Sequence, residues 1–445
     1  MYILYDLVLL LVLILAAPYL LYQAVVYKKY LANLSARLGL RSLNPAFSSD
    51  PKILIHCVSV GEFLAAEPLI ELLHKSFPEY KLVISTTTIT GQKLANERAS
   101  KFAYICYFPL DFSFSINKFF DQIQPVAIVV METEIWPNFF RVAKSRKIPL
   151  FIANGRISDR SFQRYKKLKF LLTNILSAVT YFMMQSSQDA ERILALGAPT
   201  NRVKVCGNIK YDLGTSAQAD RLDKLALELA KKLNLEDSSP LIVAGSTTPG
   251  EEEILLTAYQ QIIKDPTLTN TRLLIAPRRP ERFDEVANLL INNKLDFIRR
   301  SKITSDNQEL NNSRVEKVIL LDSIGELAAI YRYGQVIFVG GSLVPYGGHN
   351  ILEPALYHRA IITGPYMNNF HKIITDFLSA QAVIQLPTLE KQELINALAE
   401  KVIYLLKNTD ICEKLGKQAY QVIEENRGAL AQHINLIVNS INKEK

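Results

Sequence analysis

The sequence predicts an α/β protein of two open, parallel-sheet domains preceded by one apolar N-terminal helix. Three observations predict it. Short apolar runs alternate with longer helical stretches through most of the 445 residues, the signature of repeated strand–helix–strand crossovers. The alternation restarts after a charged, polar stretch around residues 212–239, and both series open with a strand, a glycine turn and glutamate (Gly61-Glu62; Gly250-Glu251-Glu252). Ahead of both series, residues 7–26 are mostly apolar, roughly the length that spans a bilayer as a helix.

Taking the elements in order, the apolar segment is followed by Lys28, Lys29, Arg37 and Arg41 and preceded by no basic side chain. A cleavable signal needs the reverse order, and the positive-inside rule places the chain beyond residue 27 in the cytoplasm. Residues 30–40 are basic-flanked and weakly amphipathic, which suits either the membrane surface or packing on the body. Predicted strands of the first series are 53–60, 82–86, 127–131, 150–153 and 181–185; those of the second are 241–244, 272–276, 297–299, 317–320, 336–339 and 360–363. The expected division is a membrane anchor at 1–27, a first domain at 28–215 and a second at 216–445, linked near 211–219, with the last helix able to pack back on the first domain.

Composition narrows the function. A net charge of +8 suits anionic headgroups or a phosphorylated substrate. Without zinc-finger spacing or an arginine-rich run, nucleic acid is not an expected partner. The four cysteines are scattered without a C-x-x-C pair, so reduced thiols are expected rather than a disulfide framework. No H-x-x-H or H-E-x-x-H spacing occurs, and no metal is expected.

The chemistry-bearing residues fall at predicted strand ends, where open α/β sheets bind ligands. The stretch 338–356 joins a continuous apolar strand, two Gly-Gly pairs and a helix start at Asn350 with Glu353 three residues on. It reads as a capping box suited to a phosphate, or equally as an ordinary strand-to-helix turn. Glu62 lies in a first helical turn, positioned either as a general base or as a dipole-stabilising glutamate. Glu132 and Glu134 flank Thr133 beside Trp136, the only tryptophan, with Pro137 next. They read as hydroxyl-binding carboxylates or as helix-start signals. Asn154-Gly155-Arg156 and Gly207-Asn208-Ile209-Lys210 add cationic groups, and Lys210 is placed to neutralise a donor's charge. Arg278, Arg279 and Arg282 end another strand, and arginine suits bidentate phosphate contact.

Taken jointly, these segments resemble one family, the bacterial 3-deoxy-D-manno-octulosonic acid (Kdo) transferases of lipopolysaccharide inner-core synthesis, membrane-anchored glycosyltransferases of the GT-B fold. The similar segments are SVGE at 59–62, METEIWPN at 131–138, NGRIS at 154–158, GNIKYD at 207–212, PGEE at 249–252, DSIGEL at 322–327, GGSLVPYGGHNILEPA at 340–355 and GPYMNNF at 364–370, in order along the chain.

The resemblance implies two Rossmann-like domains facing a central cleft and inverting transfer of Kdo from CMP-Kdo to the lipid A precursor (lipid IVA). It implies Glu62 as general base, Glu132 and Lys210 as stabilisers of the transition state, and no cofactor. CMP contacts fall on Pro277, Arg278, Ile324, Gly325, Glu326, Asn350, Ile351, Leu352 and Glu353. The implied location is the bacterial inner membrane, among its phospholipids, with a single-pass anchor and the body on the cytoplasmic face. Two departures stand out: Thr248 and Arg279 occupy positions where many relatives carry histidine. The competing readings are a GT-B enzyme using a UDP-sugar and a non-catalytic, membrane-tethered nucleotide-binding module.

Overall fold

The computed structural model describes residues 2–27, 34–39, 50–212, 216–235, 239–303 and 317–443. The chain divides into two compact units, Met1–Asp212 with Arg427–Lys445 and Leu213–Asn426. The last helix, Ala429–Lys443, therefore belongs to the first unit. Of the expected link at 211–219, residues 213–215 lie outside the described residues.

The first unit holds seven parallel strands: β1 (Lys52–Cys57), β2 (Lys81–Thr86), β3 (Ala103–Tyr107), β4 (Pro125–Met131), β5 (Leu150–Gly155), β6 (Tyr181–Met184) and β7 (Val203–Val205). Their order is β3-β2-β1-β4-β5-β6-β7. β1 and β5 are buried along their whole length, which is why Ile53–Ile55 and Leu150–Ala153 read as continuous apolar runs. The chain winds outward from β1 to β3, then returns to lay β4 on the other side of β1. That reversal opens a crevice at the carboxyl ends of β1 and β4, the usual ligand position in open sheets.

The second unit repeats the plan with β8 (Leu241–Thr247), β9 (Arg272–Pro277), β10 (Phe297–Arg299), β11 (Val318–Leu320), β12 (Val336–Val339), β13 (Ala360–Thr363) and β14 (Ile384–Gln385). The order β10-β11-β9-β8-β12-β13-β14 puts the reversal between β8 and β12. The glycine-rich stretch after β12 and the PGEE turn after β8 therefore flank this unit's crevice.

The sequence missed β3, β7 and β14. All three are short and only partly buried, so none presents a sustained apolar run. Predicted strand 53–60 ends instead at Cys57, because extended Ser59 (φ −130, ψ 173) caps a helix over Val60–Ser76. That helix continues through Pro68, which leaves the Leu64 carbonyl without its helical amide donor.

At the N-terminus, Tyr2–Tyr27 is one helix. Its stretch Tyr2–Tyr19, of mean hydropathy 2.1, is long and apolar enough to cross a membrane. Of the segment 30–40, the described part packs on the body. A turn of helix at Leu34–Arg37 leads to Leu38, and the Arg37 carbonyl accepts from the Leu110 amide at 2.7 Å. Residues 28–33 and 40–49 lie outside the described residues.

Candidate active site

The first unit gathers a carboxylate–cation cluster at its reversal point. After β1, the Ser59 hydroxyl accepts the Glu62 amide at 3.4 Å, and Oε2 of Glu62 accepts the Val58 amide at 2.8 Å. Glu62 is thus the third helical residue of a capping box that reaches one residue further back than usual. Among the described residues, Oε1 has only the Ser59 hydroxyl, at 3.4 Å. One oxygen fixes the turn and the other is lightly held, so the cap and the base are compatible roles for one side chain. Burial, with repulsion from Glu132 and Glu134 adding to it, pushes the Glu62 carboxyl up to about 7 against the pull of the Val58 amide.

After β4, Glu132 sits at φ 53, in the left-handed region, a conformation costing a non-glycine residue about 1–3 kcal/mol. Its carboxylate accepts from Arg156 Nε at 3.0 Å and lies 3.8 Å from Lys210 Nζ. Burial lowers the Lys210 ammonium's pKa, while Glu132 and Glu62 support its charge and Arg156 opposes it. Burial also raises Glu134, with repulsion from Glu132 adding to it. The structure thus brings Glu62, Glu132 and Lys210 into one electrostatic group, with Arg156 as a fourth member. Trp136 packs 5.4 Å from the Phe108 ring, and Pro137 opens the helix Pro137–Ser145.

Beneath the cluster lies a scaffold that sequence reasoning missed. Asn154, fully buried at φ 53, accepts the Ile209 amide on Oδ1 at 3.1 Å and donates its own amide to His433 Nε2 at 2.9 Å. Nδ1 of His433 then carries the proton and donates to the Ala429 carbonyl at 2.7 Å. The ring is neutral, and burial lowers its pKa. Asp212 accepts the amides of Gly428 and Leu430 at 2.7 and 2.6 Å, fastening the start of the final helix to the GNIKYD segment. The available signal was a histidine on the helix's apolar stripe, with Leu430, Ile437 and Ile441.

In the second unit the glycine-rich stretch is not a free amide cradle at its start. Fully buried Glu251 accepts the Thr248 amide (2.9 Å) and hydroxyl (2.8 Å), and the amides of Gly341 (2.7 Å), Ser342 (2.9 Å) and Leu343 (2.9 Å). The PGEE carboxylate therefore locks the loop from below. The helix after Asn350 is a single turn, Leu352–Ala355. Asn350 Oδ1 accepts the Leu352 amide at 3.1 Å, but its Nδ2 donates to Glu353 at 3.3 Å. The expected capping box is thereby corrected to a side-chain pair, because Glu353 reaches the asparagine amide rather than a backbone N–H.

The three arginines after β9 separate by role. Arg282 forms a buried fork with Glu252 at 2.6 and 3.2 Å. Arg279 donates to the Tyr346 hydroxyl at 2.7 Å, joining the PRRP turn to the glycine loop. Arg278, just past Pro277, bears on the loop: burial raises Glu353, with Asn350 and Arg278 opposing. Burial and the same arginine bring His349 down to about 4. Ile324 is 79% exposed next to Gly325 at φ 85, while Glu326 accepts from Arg300 at 2.8 Å. Arg278, Asn350 and Glu353 thus form one group after β9 and β12, with Ile351 and Leu352 buried beside it; residues 324–326 follow β11, the strand next to β9. Among the described residues, no group of three or more histidine, cysteine or acidic side chains could hold a metal ion.

Two parallel-sheet units, each carrying its polar residues at a strand-order reversal, define a protein of the GT-B type. The solved UDP-GlcNAc 2-epimerase of Neisseria meningitidis shares the fold, with a TM-score of 0.58 and 14% identity over 88% of this chain and all of that one. A glycosyltransferase from Rickettsia africae gives a TM-score of 0.55 at 14% identity, over 89% of this chain and all of that one. Residues 32–213 match the family model described as 3-deoxy-D-manno-octulosonic-acid transferase. The 3-deoxy-D-manno-octulosonic acid transferase of Haemophilus influenzae is 38% identical over 92% of this chain and 91% of its own. That of Chlamydia pneumoniae is 30% identical over 92% and 89%. The chain belongs to the Kdo transferase family.

Proposed function

We propose that this Kdo transferase moves Kdo from CMP-Kdo to the lipid A precursor lipid IVA, at the cytoplasmic face of the bacterial inner membrane. Glu62 removes the acceptor hydroxyl's proton. The oxygen attacks the anomeric carbon as the bond to the CMP phosphate breaks, and one displacement inverts that centre. Lys210, oriented by Glu132, offsets charge developing in the transition state. Pro277, Arg278, the 324–326 turn and Asn350–Glu353 hold the CMP moiety, with Arg278 toward the phosphate.

The observation that carries this reading is a lightly held carboxylate oxygen on Glu62, with a pKa brought to about 7 beside the Glu132–Lys210 pair. A base poised near the working pH combines a sufficient ionised fraction with proton affinity. The test is incubation of the purified protein with CMP-Kdo, generated in situ, and a tetraacylated lipid A precursor, with mass spectrometry of the lipid. A gain of one or more Kdo masses supports the reading and counts the residues added. No gain, or transfer from a UDP-sugar instead, overturns it. Glu62→Ala that binds CMP yet retains turnover overturns the assignment of the base.

A further inference from the structure

The N-terminal helix meets the first unit near its start, and the chain beyond it meets the unit again at residues 37–38, on the same short stretch. On the near flank, the Asp6 carboxylate accepts the Ser113 amide at 3.2 Å and hydroxyl at 2.5 Å, and the Asn138 side-chain amide at 2.7 Å. The Tyr5 hydroxyl bonds Asp111, which itself accepts the amides of Asn138 and Phe139. The Arg141 guanidinium lies 4.9 Å from the Tyr2 ring. On the far flank, Ser115 donates to the Leu38 carbonyl at 3.1 Å, and the Arg37 guanidinium lies 5.1 Å from the Tyr107 ring.

These two fastenings conflict with a single-pass crossing. A helix crossing the hydrocarbon separates its flanks by about 30 Å. Ser113 and Ser115, two residues apart, are within about 7 Å of each other. Burial along the helix agrees. Tyr2, Tyr5, Asp6, Leu9, Leu13 and Ala16 are half-buried, a stripe at helical spacing whose first three members meet the body. Ile3, Leu7, Leu11, Ile14 and Leu15 are 56–79% exposed.

We propose that the helix is a monotopic anchor: both flanks stay on the body's side of the membrane, and only the outward apolar face enters the bilayer. Lipid is the occupant this face fits. The mean hydropathy of 2.1 over Tyr2–Tyr19 belongs to hydrocarbon, and Phe114 beside the Asp6 contact is 57% exposed. The anchor also meets the body at Asn138, at the start of the helix that follows the Glu132–Glu134 turn. It thereby sets that turn close to the membrane surface, whatever the acceptor proves to be.

Sidedness is read on the full-length chain with a short hydrophilic extension carrying one cysteine ahead of Met1. A membrane-impermeant maleimide is applied to spheroplasts and to inverted inner-membrane vesicles, with Lys417→Cys marking the side of the body. Labelling of the extension in inverted vesicles only, together with Lys417→Cys, is expected. Labelling from spheroplasts overturns the proposal. As a second measurement, the pair Asp6→Cys and Ser113→Cys is oxidised in native membranes. An intramolecular crosslink is expected, and its absence from folded, active protein contradicts the docking. Finally, Leu11→Lys with Ile14→Lys lowers flotation with phosphatidylethanolamine–phosphatidylglycerol vesicles by at least about tenfold. Unchanged flotation, or a wild-type dimer that the variant abolishes, removes lipid as the occupant.

Discussion

The Asn154 amide donates to His433 Nε2 at 2.9 Å, joining residues 279 positions apart. The next bond, from the Ile209 amide to Asn154 Oδ1, carries this constraint to the segment bearing Lys210. The final helix thus acts as a brace under the Glu132–Lys210 pair, and Asp212 holds its first turn in place.

Removing that brace tests it. His433→Phe leaves the buried Asn154 amide without an acceptor, at a cost of about 1–3 kcal/mol, measured by urea unfolding. It lowers kcat more than it raises KM for CMP-Kdo, since CMP-Kdo binding is assigned to the other unit. The pH dependence has a definite sign. Burial depresses the folded-state pKa of His433, so its stabilising contribution is present above the unfolded value of about 6.5 and is lost as pH falls toward the folded value. The variant loses this share of the acid-side decline.

Glu62 gives the opposite sign. Its pKa is raised from 4.5 to about 7, so its stabilising contribution is complete below 4.5 and disappears as pH rises through about 7. With Glu62 as the proposed base, activity requires its ionised form, and kcat/KM is expected to climb through the same range. Glu62→Gln is then expected to be inactive but more stable than the parent at pH 8. Glu134→Gln removes one repulsive charge and moves the acid limb of the kcat/KM profile to lower pH. An unmoved limb contradicts the coupling.

Arg278 and Arg282 are four positions apart and predict different failures. Arg282→Ala strands Glu252, whose side chain is 1% exposed, and costs about 3–5 kcal/mol. Arg278→Ala leaves the melting temperature nearly unchanged and raises the KM for CMP-Kdo. Equal effects of both substitutions on stability reject the division of roles. Thermal unfolding and steady-state kinetics on the two variants separate the cases.

Glu62 and Glu132 were legible because each follows an apolar run that leads to a glycine or a helix-start signal, whereas Lys210 follows the short, exposed β7 and was marked only by the Gly207-Asn208 turn; the family resemblance supplied their roles. Their supports were not legible: Asn154–His433 and Asp212–Gly428 are long-range pairs that no local window contains. The edge strand β3 escaped because only Cys106 of its five residues is fully buried. Glu353 was misread for a geometric reason. A glutamate three residues after asparagine is the capping-box spacing, but the helix there is one turn long and the carboxylate pairs with the Asn350 side chain instead.

Glu251 provides the sharpest test of how the glycine loop works. Its Oε1 accepts the Ser342 and Leu343 amides, and its Oε2 accepts the Gly341 amide and both Thr248 donors. Every donor points at a carboxylate oxygen, so two acceptors are required and no NH2 group is tolerated. Glu251→Gln is nearly isosteric, yet it sets an NH2 against at least two of these donors. Leaving them unpaired costs about 2–4 kcal/mol, because each is buried in a low-dielectric network. Loop residues 341–348 then lose their fixed position, and CMP affinity falls with them. Calorimetry with CMP reads that loss, and hydrogen exchange at Gly341, Ser342 and Leu343 reads the loosened amides directly. Were these amides a phosphate cradle, Glu251 would compete with the donor, and Glu251→Gln would strengthen CMP binding. A gain in affinity therefore rejects the lock and restores the cradle.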